Sequence, residues 1–376
     1  MKIAFVYDAV YPWIKGGAEK RIFEMGKLLA EKGNDVHLFG IKWWDGDNII
    51  EYEGMTLHGV CGKQDLYING KRSIREALIF SVKLFLPLNK EKFDIIDVSV
   101  FPYFSCFTVK VISLLRRTTA VLTWHEFWGD YWYEYMGKKG FFGKNIEKLV
   151  YLISPNNIAV SEMTKNYLES LGYKRNGVKV VSNGINIGYI ESIPPFNEEY
   201  DVLFAGRMIK EKHVDVLLKS IAELKDRIPY IRLCIIGDGP ERDDLTALIE
   251  ALDIADNITM TGFLEYDEVI ARIKASKIFV LPSSREGFGI VVIEAFTCET
   301  PVITVKEERN ASQYLVDETC GILTELNEGQ ITEAIEKLLN DDKIHLEMSE
   351  NAALKSKDYD WDSIVIKYLQ ICEELM

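Results

Sequence analysis

The stretch that decides the fold begins with Ile278-Phe279-Val280-Leu281-Pro282 and continues past Ser283 as Ser284-Arg285-Glu286-Gly287-Phe288-Gly289-Ile290-Val291-Val292-Ile293-Glu294-Ala295. The apolar run reads as a buried strand. A glycine-rich turn comes next, and a helix begins where the turn ends. Strand, turn and helix in that order form the architecture that binds phosphate. The first amides of such a helix have no intrahelical partner, and its dipole makes the site positive. Two glutamates bracket the turn. A carboxylate would repel a phosphate, so Glu286 and Glu294 are expected to grip hydroxyl groups on either side of it. A ligand carrying sugar, diphosphate and ribose in sequence suits that layout.

Outward from this stretch the chain alternates short apolar runs with helical segments. Residues 3–7, 36–39, 95–98, 120–123 and 158–160 are strand-like, and a second set lies at 202–205, 231–236, 258–261, 278–281 and 302–305. A helix is expected over 18–32, with Ile22, Phe23, Met25, Leu28 and Leu29 on one face and Gly33 as its stop. Strands alternating with helices imply parallel sheets with right-handed crossovers. Pro194-Pro195 in a polar stretch marks a stiff linker over 191–200. The expected class is therefore α/β. Two Rossmann-like, doubly wound domains, 1–190 and 201–360, should face each other across a cleft. A last helix over 361–376 packs on its own domain or lies back across the first. Ligands of such sheets sit outside the carboxyl ends of the strands.

A chain of 376 residues, 48% apolar and without low-complexity tracts, is globular and too long for one ordinary core. The six cysteines form no CxxC pair, which argues against a disulfide framework or a zinc site and for a reducing cytoplasm. Met1 to Tyr7 runs into Asp8, too short for a signal peptide, and the longest apolar stretch, 77–88, is broken by Lys83 and Pro87. Charge is uneven along the chain. Residues 1–190 hold 25 Lys/Arg and 20 Asp/Glu, and the remainder holds 19 and 38. The two halves are expected to meet different partners, with nucleic acid not among them.

Past the expected strand 202–205 comes Gly206-Arg207, then Lys212. Two cations on a strand-to-helix connection suit a diphosphate, Arg by its fork and Lys as a point charge. Gly206-Arg207, Lys212, Gly237-Asp238-Gly239-Pro240 and the pair Glu286 and Glu294, eight residues apart, together resemble the retaining glycosyltransferases of the GT-B fold, closest to the large family 4 type. The resemblance extends to Gly16-Gly17-Ala18-Glu19, to His125 in Thr123-Trp124-His125-Glu126, and to Ser182-Asn183-Gly184-Ile185.

That resemblance implies a hexosyl transfer from a nucleotide-sugar donor, UDP- or GDP-linked, to a glycan, lipid-linked or small-molecule acceptor. Arg207 and Lys212 would bind the donor diphosphate, Glu294 the ribose and Glu286 a hydroxyl of the transferred sugar. Gly287 and the amides of Phe288 and Gly289 would meet the sugar and distal phosphate. Gly16 and Gly17 would approach from the other domain, and His125 would lie near the sugar. No metal and no cofactor is implied, because Arg and Lys stand at the leaving group. Two alternatives share the pattern: a nucleotide-sugar epimerase of the same fold, and a catalytically silent relative that binds a glycan or a partner.

Other signals have plainer readings. Asp45-Gly46-Asp47 resembles a metal-binding DxD but reads as a turn, and Gly237-Asp238-Gly239-Pro240 as a turn closing a strand. His37, His58, His213 and His345 show no ligand spacing. The aromatic run from Phe127 to Tyr135 either stacks on a sugar or packs beneath the sheet. Lys71-Arg72-Ser73-Ile74-Arg75, the apolar stretch 77–88, Arg116-Arg117 and Lys138-Lys139 allow two readings. One is a peripheral face at the inner side of a membrane, and the other is a buried helix with basic flanks.

Overall fold

The structure is a computed structural model that describes residues 1–68, 71–172 and 177–376. It divides into two compact units, Met1–Asn183 with Trp361–Met376, and Gly184–Asp360.

The first unit is built on an eight-stranded sheet. Its order is Val178–Val180, Asn157–Ala159, Thr119–Trp124, Ile95–Val100, Lys2–Val6, Asp35–Gly40, Met55–Gly59 and Ile49–Tyr52. All pairings are parallel except the last, an antiparallel hairpin whose edge strand closes the sheet. The central strands are buried on both faces, which is why they read as continuous apolar runs rather than alternating ones. One face is covered by helices Ile74–Leu88, Phe104–Arg116 and Gly140–Ile153, whose Phe80, Leu84, Cys106, Ile112 and Val150 join Val6 and Val98 in one core. Helix Gly17–Glu31 packs the other face, where Ile22 and Leu29 meet Ile3, Phe5 and Leu57. Gly33 stops that helix in the left-handed region at φ +84°.

The second unit holds a six-stranded, wholly parallel sheet in the order Ile258–Gly262, Leu233–Ile236, Tyr200–Ala205, Ser276–Leu281, Val302–Val305 and Gly321–Thr324. Its inner strands are Val-, Ile- and Leu-rich and almost wholly buried, as a sheet covered on both faces requires, while the edge strand Ile258–Gly262 is partly exposed.

Two expectations about organisation change. The boundary falls at Asn183/Gly184, and the stretch expected as a stiff linker is part of the second unit. Helix Ile187–Ser192 packs there, the Phe196 amide donates to the Ala271 carbonyl at 2.8 Å, and Tyr200 already begins the central strand. Two prolines in polar surroundings do not make a linker when the backbone on either side is hydrogen-bonded. Helix Trp361–Leu375 belongs to the first unit, with Trp361, Ile364, Val365 and Tyr368 in the core beside Phe5 and the Tyr368 hydroxyl donating to Asp97 at 2.9 Å. The hairpin Ile49–Gly59 and strands Val178–Val180 and Gly321–Thr324 were absent from the sequence expectation. They are short, and Glu51, Glu53 and Lys179 interrupt their apolar patterns.

Candidate functional site

In the second unit the strands Tyr200–Ala205 and Ser276–Leu281 are parallel neighbours. From the first, successive strands run outward to one edge; from the second, they run outward to the other. Their shared carboxyl end is thus the topological switch point, the place where crossover loops diverge and leave a crevice. The two motifs distant in sequence are brought together there.

After Ala205 the chain passes Gly206 and Arg207 and makes a 3-10 turn over Lys210–Lys212. It turns through His213 at φ +48° into helix Val214–Lys225. After Leu281 it reaches Ser284. A two-residue bridge, Arg285–Glu286, then pairs with Arg309–Asn310, and helix Ile290–Thr297 starts behind Gly289. The Lys212 ammonium forms an ion pair with Glu286 Oε1, and the two side chains are 16% and 14% exposed. His213 Nε2 lies 2.9 Å from Ser284 Oγ, and the Ser284 amide donates to the Glu211 carbonyl at 2.9 Å. The Ser284 hydroxyl also donates to the Glu211 carbonyl at 3.4 Å, so an ion pair and hydrogen bonds lace the two loops. Arg207 is exposed, and its guanidinium makes no hydrogen bond or ion pair among the described residues.

The glycine at 289 has a steric cause. Its φ is +94°, and a Cβ there would come within 2.8 Å of the Ser312 Cβ. Behind it a buried polar network fixes the floor: Asn310 Nδ2 donates to the Val305 carbonyl at 2.7 Å, and Ser312 Oγ donates to Asn310 Oδ1 at 2.6 Å. Gly237 plays the same part on the other side. At φ +131° its Cβ would lie 1.9 Å from the Gly206 carbonyl oxygen, so only glycine lets that strand end approach the Arg207 loop. The Gly237–Pro240 segment, expected as a turn, is an irregular connection in which Gly237 bridges to Gly262 and only Pro240 lies in a turn. The Phe288 side chain is buried edge-on to Tyr359 at 6.0 Å, which leaves its amide, not its ring, at the helix start. Gly287 is half-buried in the turn, and Glu294 is buried within helix Ile290–Thr297.

Gly16, Gly17 and His125 stand on the first unit. Gly16 and Gly17 are exposed at the start of helix Gly17–Glu31. His125 comes directly after strand Thr119–Trp124, half-buried, with Nε2 3.1 Å from Ser99 Oγ and its ring 6.4 Å from that of Tyr7. Burial first, and the nearby Arg21 charge second, push its pKa down to about 3, so the ring is neutral near pH 7.

Sequence reading missed a charged cluster in this unit. Asp8, just past strand Lys2–Val6, is fully buried and ion-paired with Arg72. Glu76, in the first turn of helix Ile74–Leu88, is 1% exposed, and neither of its oxygens has a hydrogen-bond partner among the described residues. Burial, reinforced by the Asp8 charge, pushes its pKa up to about 8. One arginine thus serves two acids, and Glu76 holds a proton at neutral pH. Arg72 lies 64 positions from Asp8, so no local spacing announces the cluster. His213, Ser284, Asn310 and Ser312 were also missed. A histidine just ahead of helix Val214–Lys225 was the one available signal.

Asp45-Gly46-Asp47 is a loop, and no group of three or more His, Cys, Asp or Glu among the described residues could hold a metal. The aromatic run is split: Trp132 is buried, Phe127, Trp128, Tyr131 and Tyr135 are half-buried, and Tyr133 is exposed. Trp128 and Trp132 lie 4.7 Å apart, and Trp132 is buried against Phe101 and Tyr103. All six cysteines are free thiols.

The fold and this switch-point crevice define a glycosyltransferase of the GT-B class. A family described as Glycosyl transferases group 1 matches residues 189–355, and one described as Glycosyltransferase Family 4 matches residues 15–189. The chain belongs to the family 4-type glycosyltransferases. The alpha-D-kanosaminyltransferase of Streptomyces kanamyceticus is 35% identical over 153 residues, which are 40% of this chain and 39% of that one. Sucrose-phosphate synthase from Thermosynechococcus elongatus superposes with a TM-score of 0.84 at 21% identity, covering 100% of this chain and 98% of its own. Anabaena HepE, solved in complex with UDP-glucose, does so with 0.74 at 18% identity, covering 100% and 99%. Nothing in these likenesses supports an epimerase.

Proposed function

We propose that this glycosyltransferase takes a hexose from a nucleoside-diphosphate sugar, UDP-linked in the first instance, and transfers it with retention of anomeric configuration and without a metal. The observation that carries the reading is the convergence of Arg207, Lys212 and Glu286 at the switch point of the second unit, beside the amides that open helix Ile290–Thr297. That HepE was solved with UDP-glucose favours the uridine donor.

In this reading Arg207 and Lys212 receive the diphosphate, with the first helix amides beside them. Glu286, held by Lys212 until the donor arrives, accepts a hydrogen bond from a hydroxyl of the transferred sugar. Glu294 takes the ribose. The acceptor hydroxyl attacks the anomeric carbon on the face from which the phosphate departs. The C–O bond to phosphate breaks as the new one forms, and the acceptor's proton passes to the leaving phosphate oxygen. Charge on that phosphate is what Arg207 and Lys212 stabilise, and each preorganised donor of this kind is worth about 2.7–4 kcal/mol in the transition state. A neutral His125 suits a hydrogen-bonding role rather than a cationic one. The acceptor is a glycan, a lipid-linked sugar or a small alcohol.

Thermal-shift measurements with UDP-, GDP- and ADP-sugars test the donor, since a bound ligand raises the melting temperature by mass action. A shift with the UDP-sugar that persists in EDTA and is lost in Arg207→Ala supports the reading. Binding that needs a divalent metal, or that survives the loss of both Arg207 and Lys212, overturns it.

A further inference from the structure

Helices Ile74–Leu88, Phe104–Arg116 and Gly140–Ile153 cover one face of the first sheet with their inner sides. Their outer sides are apolar as well. Val82 and Leu86 are each 72% exposed, and Leu114, Leu115, Phe141 and Phe142 on the other two helices are exposed too. On helix Ile74–Leu88 the exposed apolar positions recur every four residues, from Ile74 through Leu78 and Val82 to Leu86, one continuous stripe. The first two helices pack side by side through small residues, with Ser81 Oγ donating to the Phe104 carbonyl at 2.8 Å and lying 2.9 Å from Thr108 Oγ1. Half of the large apolar side chains exposed among the described residues lie on these three helices.

Charge says what covers them. The three helices carry two carboxylates, Glu76 and Glu147, and both are buried. Glu147 is turned inward to accept from the Trp128 and Gly129 amides, each at 2.8 Å, and from the Tyr103 hydroxyl at 2.7 Å. The exposed cations on these helices and at their ends include Arg75, Lys83, Arg116, Arg117, Lys138 and Lys139. The neighbouring acids stand on the connecting segments. Glu91 pairs with Lys2 at 2.6 Å, Asp130 pairs with Lys144, and Glu134 is exposed before the third helix. An apolar face rimmed by cations, on helices that expose no carboxylate, matches the interface of an anionic bilayer, where acyl chains lie beneath a negative headgroup layer.

We propose that this three-helix face docks the protein on an anionic lipid surface. Apolar side chains enter the headgroup–acyl boundary while Lys and Arg meet the headgroup charges. The helix buries Ala77, Phe80, Leu84 and Leu88, as a core helix does, and still exposes a second apolar row. The proposal is independent of which sugar or nucleotide the second unit holds.

The full-length chain is co-sedimented with vesicles of phosphatidylcholine alone and of phosphatidylcholine with phosphatidylglycerol, at low and high salt. Binding to the anionic vesicles at least about tenfold above the neutral ones, weakened by high salt, is expected. A Val82→Ser, Leu86→Ser, Leu114→Ser variant should lose about tenfold or more, and a Lys138→Ala, Lys139→Ala variant on the order of tenfold, each with an unchanged melting temperature. Equal binding to both vesicle types, no binding to either, or full binding by both variants overturns the proposal. A concentration-dependent dimer abolished by the apolar variant, with no vesicle binding, overturns it in favour of a second copy of the chain.

Discussion

The two units place their functional groups at the same topological address and fill it with opposite chemistry. At the switch point of the second sheet stand an exposed Arg207 and a lysine–glutamate pair near the surface. At the corresponding edge of the first stand Asp8, Arg72 and Glu76, buried, with the neutral His125 on the strand beyond. In the proposed reading the first arrangement exchanges its partners for a diphosphate, because its ions are only partly desolvated. The second is locked, because a charge taken fully out of water must keep its partner.

Substitution at each pair should therefore give opposite results. The largest effect is expected for Arg72→Ala. It strands the Asp8 charge in the interior and should cost about 3–5 kcal/mol of stability in urea unfolding, so a loss under about 1 kcal/mol would break the contrast. Lys212→Ala reverses the pattern. Stability should change by less than about 1 kcal/mol, while kcat/KM falls by about a hundredfold to a thousandfold in a transfer assay.

Acid offers a third comparison, within the first unit. His58 stacks on Phe39 with centroids 4.2 Å apart and lies 2.8 Å from His37 Nδ1. Burial and the His37 charge push its pKa down to about 4. Folding thus favours its neutral form, and stability is full above the unfolded value near 6.5 and falls as pH drops toward 4. Between pH 7 and pH 5 this amounts to about 2 kcal/mol, and His58→Phe should remove most of that slope. The smallest effect belongs to Glu76→Gln. Below about pH 4 its carboxyl is protonated in the folded and the unfolded chain alike, so there unfolding should shift by less than about 1 kcal/mol. Glu76 has the raised-pKa sign, with stability lost as pH climbs from about 4.5 toward 8, and the variant should flatten that loss.

The second unit was the more legible in sequence for the same reason that it is the more exchangeable. Arg207, Lys212 and Glu286 sit on connections directly after apolar strands, and Glu294 in the helix that follows, so all four are visible as charges punctuating a regular alternation. Periodicity also placed most strands, because both sheets are buried on two faces. What stayed hidden depends on contacts between distant segments. Asp8 and Glu76 meet only because helix Ile74–Leu88 starts beside the end of the first strand. His213 meets Ser284 only because their strands are neighbours in the sheet, not in the chain. The aromatic run was ambiguous because its rings serve a core and a sugar platform equally well, and only Trp132 among them is buried. The outer row on helix Ile74–Leu88 was masked by the inner one, since the segment is apolar on nearly every side.

The final helix, Trp361–Leu375, sets the order in which the molecule can be finished. Ile3, Phe5 and Val121 are made before the second unit, yet Trp361, Ile364 and Tyr368, which join them in one core, are made after it. The second unit has all its strands before that moment and is free to fold first. The first must wait with an open apolar face, a window in which a chaperone has something to hold.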